Sequence, residues 1–383
     1  MIRWAEVRAK PVRTVAGLMT GTSMDGLDVA LCRVTSTPEL GFELLAFETV
    51  PLPRELRQAV AAERLADLAT LARTDAALGR FFADALAGVL ERHPAELDLI
   101  GSHGQTVYHE HGLVSLQLGE PAHLAWRFQC PVVHDFRAND IAAAGGGAPL
   151  VPYVDWRLLG GRGRTLLAVN IGGIANFTAL PAVGDDADAV LGMDCGPGNM
   201  LLDQLAERYS GGGMGADLDG RLAARGTVDE ALLAELCAHP FFAAPPPKSA
   251  GREQFGAPFV QALLAEVRPE REQDWCDLLA TATELTAFGI HDCYLRHVAP
   301  RLPVEAVMVS GGGARNPELM ARLAARFGNL PLATSDAYGL PVDAKEAIAF
   351  AILASERIDQ RPANLPSVTG AARQVLLGKV TEC

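Results

Sequence analysis

The feature that most constrains the fold is a pattern that occurs twice, a strand-like run followed by a glycine turn and a second strand-like run. The first copy lies around residues 17–31, and the second joins Thr165–Ile171 to Ile174–Leu180 through Gly172 and Gly173. Apolar runs on both sides of a short glycine turn predict β-hairpins. An internal echo of this kind predicts two related halves, each opening with a strand, a turn and a strand.

The first turn is dense in groups that bind phosphate and metal, in the order Gly21, Thr22, Ser23, Met24, Asp25, Gly26, Leu27 and Asp28. Its glycines can take positive φ and let backbone N–H groups converge on an anion, while its hydroxyls can donate to phosphate oxygens. The two carboxylates would repel a phosphate unless a divalent cation lay between them and it. The turn therefore predicts a site for a nucleotide with Mg²⁺, with Asp25 as metal ligand. An ordinary hairpin turn is the alternative.

A second glycine-rich segment follows an apolar strand predicted over 187–191. Apolar residues recur at helical spacing from Asn199 onward, which places Gly196 and Gly198 at a helix N-terminus. Unpaired N–H groups and the helix dipole favour phosphate there. We therefore expect Gly196, Gly198 and Asn199 to bind phosphate, with Asp194 beside it.

A third segment is a buried-type strand that ends in Gly311, Gly312 and Gly313. Asn316 and Pro317 suit the N-cap and first position of the helix that follows. Three glycines let a flat base or a ribose approach the backbone closely. These glycines and Asn316 are therefore candidates for binding the adenosine part of ATP.

Each glycine turn alone is weak evidence for a nucleotide site, because such turns are frequent in α/β proteins for packing reasons. In this order they predict ATP binding, with Gly172, Gly173 and Asn176 of the second hairpin completing the set. The arrangement resembles the actin-like ATPase fold of sugar kinases, acetate kinases and Hsp70 proteins. That resemblance implies an α/β protein with two actin-like, ribonuclease H-like domains and an active-site cleft between them. The sequence contains no Gly-x-x-x-x-Gly-Lys-Ser/Thr run, which disfavours a P-loop fold.

Longer motifs narrow the resemblance from this broad group of ATPases to one family within it. They are GTSMDGLD at 21–28, GSHGQTVYH at 101–109, DFR at 135–137, GGGAPLVP at 145–152, NIGGIANFT at 170–178, MDCGPGNMLLD at 193–203, PPKSAGRE at 246–253, ATATELTA at 280–287, SGGGARNPELM at 310–320 and NLPSVTGA at 364–371. With these motifs the chain resembles, over essentially its whole length, the anhydro-N-acetylmuramic acid kinases of bacterial peptidoglycan recycling.

The resemblance implies a kinase that takes 1,6-anhydro-N-acetylmuramic acid, ATP and water. Such an enzyme opens the anhydro bridge hydrolytically and phosphorylates the freed O6, giving N-acetylmuramic acid 6-phosphate. Asp194 would be the general base that activates the water, a task that suits a carboxylate at neutral pH. Metal ligation alone is the alternative role for Asp194.

The same resemblance implies that the sugar contacts His103, Gln105 and Thr106. Arg137 would be the cation for the lactyl carboxylate, and Glu346 an acid that reaches the sugar from a C-terminal helix. Two alternatives stay open. His103 could be a structural histidine with all its hydrogen bonds satisfied, and Arg137 could form a surface ion pair.

One departure from the family pattern is Cys195, where many members carry a hydroxyl residue. A thiol is a poor hydrogen-bond donor, so phosphate affinity could be altered. A small buried residue is the alternative reading.

Composition sets limits on partners and location. The 383 residues suit two domains, and a net charge of −13 speaks against nucleic acid and against adsorption to a membrane surface. The sequence has neither an apolar run of membrane-spanning length nor a signal-like N-terminus, and its seven cysteines lack Cys-x-x-Cys spacing. We expect a cytoplasmic protein, and a homodimer, as is common among similar kinases.

The expected domains are 1–140 with 341–383, carrying the first turn and the sugar-binding segments, and 141–340, carrying Asp194 and the triple glycine. Another sugar or carboxylate kinase of this fold is one alternative function. A second is an ATPase of the Hsp70 or actin type that switches conformation without a small substrate.

Overall fold

The computed structural model describes residues 4–21, 24, 26–36, 39–62, 67–183, 187–246, 248 and 250–383. The chain divides into two compact units. Unit 1 consists of Met1–Leu158 and Ala344–Cys383, and unit 2 of Leu159–Asp343.

The strands are β1 Val12–Met19, β2 Gly26–Thr35, β3 Gly41–Pro51, β4 Leu99–Ser102, β5 Gln105–Glu110, β6 Val114–Leu118, β7 Val132–His134, β8 Leu166–Ile171, β9 Ile174–Leu180, β10 Leu191–Pro197, β11 Ala306–Ser310, β12 Leu332–Thr334 and β13 Lys379–Thr381. The helices are α1 Trp4–Ala9, α2 Arg54–Ala62, α3 Leu68–Arg92, α4 Ala122–Phe128, α5 Ala138–Ala142, α6 Val151–Leu159, α7 Asn199–Tyr209, α8 Glu230–Cys237, α9 Pro240–Ala243, α10 Arg252–Phe255, α11 Ala257–Val267, α12 Glu272–Cys293, α13 Pro317–Phe327, α14 Lys345–Ile358 and α15 Pro366–Thr369.

The two units contain sheets of the same design. The strand order is β13-β7-β4-β1-β2-β3 in unit 1 and β10-β9-β8-β11-β12 in unit 2, while β5 and β6 form a separate hairpin. In each unit the first three strands form an antiparallel meander, and two later strands extend the sheet in parallel from the first. This duplication confirms the two related halves and the two-domain actin-like α/β fold predicted from the sequence.

Helix α14 lies directly on strands β1 and β4 because two glycines remove the side chains between them. A Cβ atom on Gly17 would lie 1.9 Å from the carbonyl oxygen of Ala347, and one on Gly101 would lie 2.3 Å from that of Phe350. Any larger residue would clash with the helix backbone. This close packing fixes the position of Glu346 in the first turn of α14.

The sheet of unit 2 has one apolar face. Odd-numbered side chains of its antiparallel strands, among them Val169, Phe177 and Met193, pack with Ile290 of α12 and Leu323 of α13 in one core cluster. Because strand side chains alternate between faces, the even-numbered residues of these strands lie on the opposite face. That face carries Asp194.

The second glycine segment differs from its prediction. The strand expected over 187–191 is a 3₁₀ turn at Ala187–Ala189, and the glycine segment itself forms strand β10. Its pairing with β9 shifts register between Asp194 and Gly196, which leaves Cys195 in a β-bulge. The backbone groups of this segment are held by a neighbouring strand, which local sequence pattern does not reveal.

The first unit boundary lies after residue 158 instead of 140, and the second lies after 343 instead of 340. Helix α6 belongs to unit 1 because its polar side chains bond to α14. The Lys345 ammonium is 2.9 Å from Asp155 Oδ2, and the Tyr153 hydroxyl donates to Glu356. In the parts of the chain that the structure describes, no helix is both long and apolar enough to cross a bilayer.

Candidate active site

The glycine turns of unit 2 meet at one place. The Asn199 side chain approaches the Ile171 carbonyl at 3.5 Å, and a Cβ on Gly312 would lie 3.1 Å from the Asn199 amide nitrogen. Gly311 has φ of 79°, and a Cβ there would lie 2.7 Å from the same Ile171 carbonyl. The hairpin turn, the start of α7 and the triple glycine are therefore neighbours, as an ATP site built from all three requires.

The start of α7 differs from the expected phosphate site. The N–H groups of Gly198 and Met200 donate to the carbonyl of Gly173 at 3.0 and 3.1 Å, and that of Asn199 donates to Gly172 at 2.8 Å. The expectation that these backbone groups are unpaired is wrong, because the hairpin turn caps the helix. Gly198 is required for this fit, since a Cβ there would lie 2.4 Å from the Gly172 carbonyl.

A row of polar side chains crosses four strands of this sheet. Asp194 pairs with Asn176, Asn176 with Asn170, and Asn170 with Ser310. Directly paired residues share a face of the sheet, so the four lie side by side. The sequence predicts Asp194 and Asn176 as site residues but gives no prediction for Asn170 and Ser310. Both lie in the last two residues of a strand that leads into a glycine turn, and that position is the sequence signal for them.

The segment after α9 holds Asp194. Asp194 Oδ2 accepts a hydrogen bond from the Ala250 N–H at 2.8 Å, and the Asp194 N–H donates to the Lys248 carbonyl at 3.4 Å. The Lys248 ammonium in turn donates to the carbonyls of Phe241 and Phe242 and lies 4.6 Å from the centre of the Phe241 ring. The carboxylate is half-buried and fixed on one side by backbone.

Cys195 is a core residue. Its side chain is fully buried and its Sγ lies 3.7 Å from the Met193 carbonyl, within the cluster that packs on α12. Burial raises the pKa of the Cys195 thiol well above its ordinary value. The small-buried-residue reading fits this position better than a contact with phosphate.

Asn316 caps α13, as predicted. Its Oδ1 accepts the N–H groups of Glu318 and Leu319, both at 3.1 Å, and Pro317 occupies the first turn. Gly313, the last glycine of the triple, packs against the Ile171 side chain.

In unit 1, His103 and Arg137 are hydrogen-bonded to each other. Arg137 NH2 is 2.9 Å from His103 Nε2, and His103 Nδ1 is 2.7 Å from the Gly104 carbonyl. A guanidinium only donates, so Nε2 is the acceptor and Nδ1 carries the proton. Burial, with the nearby guanidinium, lowers the pKa of His103 to about 3. His103 is therefore neutral and orients Arg137.

Arg137 is not part of a surface ion pair. Its NH1 donates to the Gly147 carbonyl at 2.8 Å, and burial lowers the pKa of the guanidinium to about 10. Among the described residues, no carboxylate oxygen lies within ion-pair distance of Arg137, and its buried Nε has no hydrogen-bond partner. The guanidinium is half-buried and makes no direct ion pair with the described residues, although the charges of Glu346 and Asp140 favour its protonated form.

Two more buried polar atoms near His103 have no hydrogen-bond partner in the described structure, Ser102 Oγ and Gln105 Oε1. The Gln105 amide nitrogen lies 3.3 Å from the Gly21 carbonyl, which links this region to the first glycine turn, and Thr106 Oγ1 accepts from Gln117. A cavity of about 220 Å³ has Ser102, His103 and Gln117 in its wall, whereas Gln105 and Thr106 do not line it.

The chain matches the profile of one protein family, described as anhydro-N-acetylmuramic acid kinase, over residues 13–383. It belongs to this family. Relatives described as anhydro-N-acetylmuramic acid kinase include one from Caldanaerobacter subterraneus subsp. tengcongensis, 39% identical over the full length of both chains. One from Salinibacter ruber is 40% identical over 96% of each chain, and one from Xanthomonas campestris pv. campestris is 43% identical over 95% of this chain and 96% of its own.

In this member of the family, the first turn is described in part. Thr22, Ser23 and Asp25, the last of which is the proposed metal ligand, lie outside the described residues. Met24 closes a turn onto the Gly21 carbonyl. Gly26 and Leu27 are buried in β2, with the Leu27 side chain in the core. Within the described chain, no group of three or more His, Cys, Asp or Glu side chains could hold a metal ion.

Two acids of unit 1, Asp28 and Glu346, lie within electrostatic reach of each other. Asp28 accepts a hydrogen bond from Thr49 Oγ1 at 2.6 Å. The pKa of Glu346 is raised, first by burial and then by the charge of Asp28, while Lys345 and Arg137 oppose the shift. Glu346 thus lies within electrostatic reach of both Asp28 and Arg137.

Proposed function

We propose that this protein is an ATP-dependent kinase of peptidoglycan recycling. It opens the ring of 1,6-anhydro-N-acetylmuramic acid with water and phosphorylates O6, giving N-acetylmuramic acid 6-phosphate. Family membership supports the reaction. The observation that supports the substrate class is Arg137, a half-buried guanidinium with a buried, unpartnered Nε, beside a neutral His103 and two further unpartnered polar atoms. An acidic, polyhydroxylated ligand would supply the partners these groups lack.

The proposed chemistry gives Asp194 the role of general base. The water oxygen bonds to C1, the C1–O6 bond breaks, and Asp194 takes the water's proton. O6 then attacks the γ-phosphorus, and the bond to the bridging oxygen breaks to release ADP. The hydrogen bond from Ala250 to Asp194 Oδ2 supports this role, because it holds the carboxylate in one orientation.

On the sugar side, Arg137 would bind the lactyl carboxylate, with His103 as its support. Gln105 and Thr106 would bind sugar hydroxyl or amide groups, and Glu346 would accept from a sugar hydroxyl. The raised pKa of Glu346 fits an acid that a polar ligand covers.

On the nucleotide side, the neighbouring turns at Gly172–Gly173, Asn199 and Gly311–Gly313 support ATP binding, because their glycines let a ligand approach the backbone. Asp25 and Asp28 would hold Mg²⁺, since carboxylate oxygens are the ligands it prefers. Bound Mg²⁺ would neutralise phosphate charge. We further propose a cytoplasmic homodimer.

A nucleotide-switching ATPase of the same fold is the second candidate function. It would have no use for the unpartnered groups around Arg137. Another sugar or carboxylate kinase would use them, and only substrate comparison separates it from the first proposal.

The test is coupled ADP release with ATP and Mg²⁺, comparing 1,6-anhydro-N-acetylmuramic acid, N-acetylmuramic acid and N-acetylglucosamine. We expect turnover with the anhydro sugar alone and a loss of about 100-fold to 10,000-fold in Asp194→Asn. Glu207→Gln, an exposed change on α7, is the control and should retain full activity. Sugar-independent ADP release, or full activity of Asp194→Asn, would overturn the proposal.

A further inference from the structure

Asp140 is a fully buried acid at the centre of three chain segments. Its Oδ2 accepts the Gly147 N–H at 2.8 Å, and its Oδ1 accepts from the Asn364 amide at 2.7 Å and the Thr369 hydroxyl at 2.8 Å. All three partners belong to motifs to which the proposed function gives no role, Gly147 to the glycine run at 145–147 and Asn364 and Thr369 to the NLPSVTGA segment at 364–371. Both motifs therefore converge on one carboxylate.

The glycine run connects Asp140 to Arg137. The Gly147 N–H donates a hydrogen bond to the Asp140 carboxylate, and the Gly147 carbonyl accepts one from Arg137 NH1 at 2.8 Å. The run has no room for side chains or rearrangement, since a Cβ on Gly145 would lie 2.3 Å from Asp140 Oδ2 and Gly147 has φ of 77°. The Gly146 N–H donates to the Thr369 carbonyl at 2.7 Å. A displacement of the Asp140 carboxylate would therefore move the Gly147 carbonyl, which accepts a hydrogen bond from Arg137.

We propose that Asp140 is a positioning residue that sets the orientation of Arg137 toward the carboxylate of the substrate. This inference rests on the proposed function of Arg137. The guanidinium donates two hydrogen bonds that fix it, one to Nε2 of the neutral His103 ring and one to the Gly147 carbonyl, and Asp140 governs the position of that carbonyl. Its negative charge also favours the charged form of Arg137 in this buried place.

Asp140→Asn tests the proposal with little change in size. An Asn side chain has one acceptor oxygen and cannot serve both Gly147 and the Asn364–Thr369 pair. We expect the KM for 1,6-anhydro-N-acetylmuramic acid to rise about 10-fold while the KM for ATP changes less than about 2-fold. Thr369→Val removes a bond on the far side of Asp140 and is the matched control, with a KM close to wild type.

A double-mutant cycle separates positioning from folding. In an Arg137→Met background, Asp140→Asn should add less than about 2-fold to the KM, because the group it positions is gone. Equal effects in both backgrounds, or equal rises in the KM for ATP and for the sugar, would overturn the proposal. Should Asp140→Asn fail to fold, Asp140→Glu takes its place, with the same expected rise from a carboxylate displaced by one methylene.

A readout without substrate keeps this inference distinct from the proposed function. The ¹⁵N chemical shift of His103 Nε2 reports the hydrogen bond from Arg137. We expect it to move in Asp140→Asn and to stay in place in Thr369→Val. An unchanged shift in Asp140→Asn would overturn the positioning role, whereas a wild-type protein that fails to turn over any sugar would overturn only the proposed function.

Discussion

The two units share a sheet design, but the glycine turns of unit 2 and the region around His103 in unit 1 treat their polar groups in opposite ways. In unit 2 the glycine turns satisfy one another, since the carbonyls of Gly172 and Gly173 cap α7 and Asn316 caps α13. In unit 1 the region around His103 leaves Gln105 Oε1 and Arg137 Nε without partners in the described structure. A buried group without a partner costs stability, and a bound ligand that paired with Gln105 Oε1 and Arg137 Nε would offset that cost.

The difference distinguishes residues that stabilise the fold from residues that bind a ligand. The turns of unit 2 form a rigid frame whose parts depend on one another, while the polar groups of unit 1 depend on what binds. Substitutions in the first should therefore lower the free energy of unfolding. Substitutions in the second should weaken substrate binding and leave the fold intact.

The largest effect should come from Gly198→Ala. Its Cβ would press on the Gly172 carbonyl, and we expect a loss of about 3 kcal/mol in the free energy of unfolding, measured by urea denaturation. Gly172→Ala is the control, because its Cβ would meet no atom closer than 3.8 Å and should cost less than about 1 kcal/mol. Equal losses in the two variants would show that the turns are not interlocked.

The next effect concerns Gln105→Leu in unit 1. Leucine has a similar volume and removes both the unpartnered Oε1 and the 3.3 Å hydrogen bond from Nε2 to the Gly21 carbonyl, so the free energy of unfolding should change by less than about 1 kcal/mol. The KM for the anhydro sugar should rise about 10-fold, equivalent to about 1.4 kcal/mol. Gln204→Leu in α7 serves as control and should leave that KM unchanged. A fall in stability with no change in KM would place Gln105 in the scaffold.

The third effect is the pH dependence that His103 gives to stability. Its folded pKa of about 3 lies below the unfolded value, so the unfolded chain takes up a proton first as pH falls. The contribution of His103 to the free energy of unfolding is fully present above about pH 6.5 and is lost as the pH falls toward 3, by at most about 1.4 kcal/mol per pH unit. Urea denaturation between about pH 7 and 5 should show a steeper slope in the wild type than in His103→Gln, which keeps the part due to His134, His291 and His297, whose pKa values are also lowered. Equal slopes would contradict the neutral His103.

The smallest effect is expected for Asn316→Ala, which removes the cap of α13. We expect a loss of about 1 kcal/mol in the free energy of unfolding, which Asn316→Asp should largely restore. The KM for ATP should be unchanged in both variants if capping is the only role of Asn316. A raised KM in Asn316→Asp with normal stability would instead support the predicted nucleotide contact.

Much of the fold follows from the sequence because it depends on local pattern. The repeated strand, turn and strand unit predicts the two meanders, and Asn316-Pro317 predicts the start of α13. The bulge at Cys195 and the capping of α7 by Gly173 could not be predicted from the sequence, because both depend on which strands are neighbours in the sheet. The membership of α6 in unit 1 likewise depends on the distant Asp155–Lys345 pair.

The candidate site was predicted in its residue types more than in its connections. His103 and Arg137 come from motifs 34 residues apart, and the structure places them in direct contact. Asp140 sits only three positions after Arg137, yet its partners at 147, 364 and 369 come together through tertiary packing alone. No local pattern in the sequence indicates such a network.

The Arg137 guanidinium, which makes no direct ion pair in the described structure, has a consequence for the stability of the protein as well as for what it binds. A ligand carboxylate would supply a directly paired charge, so part of the folding free energy would arrive with the substrate. At a ligand concentration 100 times the Kd, the gain is about 2.7 kcal/mol, enough to raise the melting temperature by several degrees. The lifetime of the folded chain would then follow the supply of the sugar acid that it consumes.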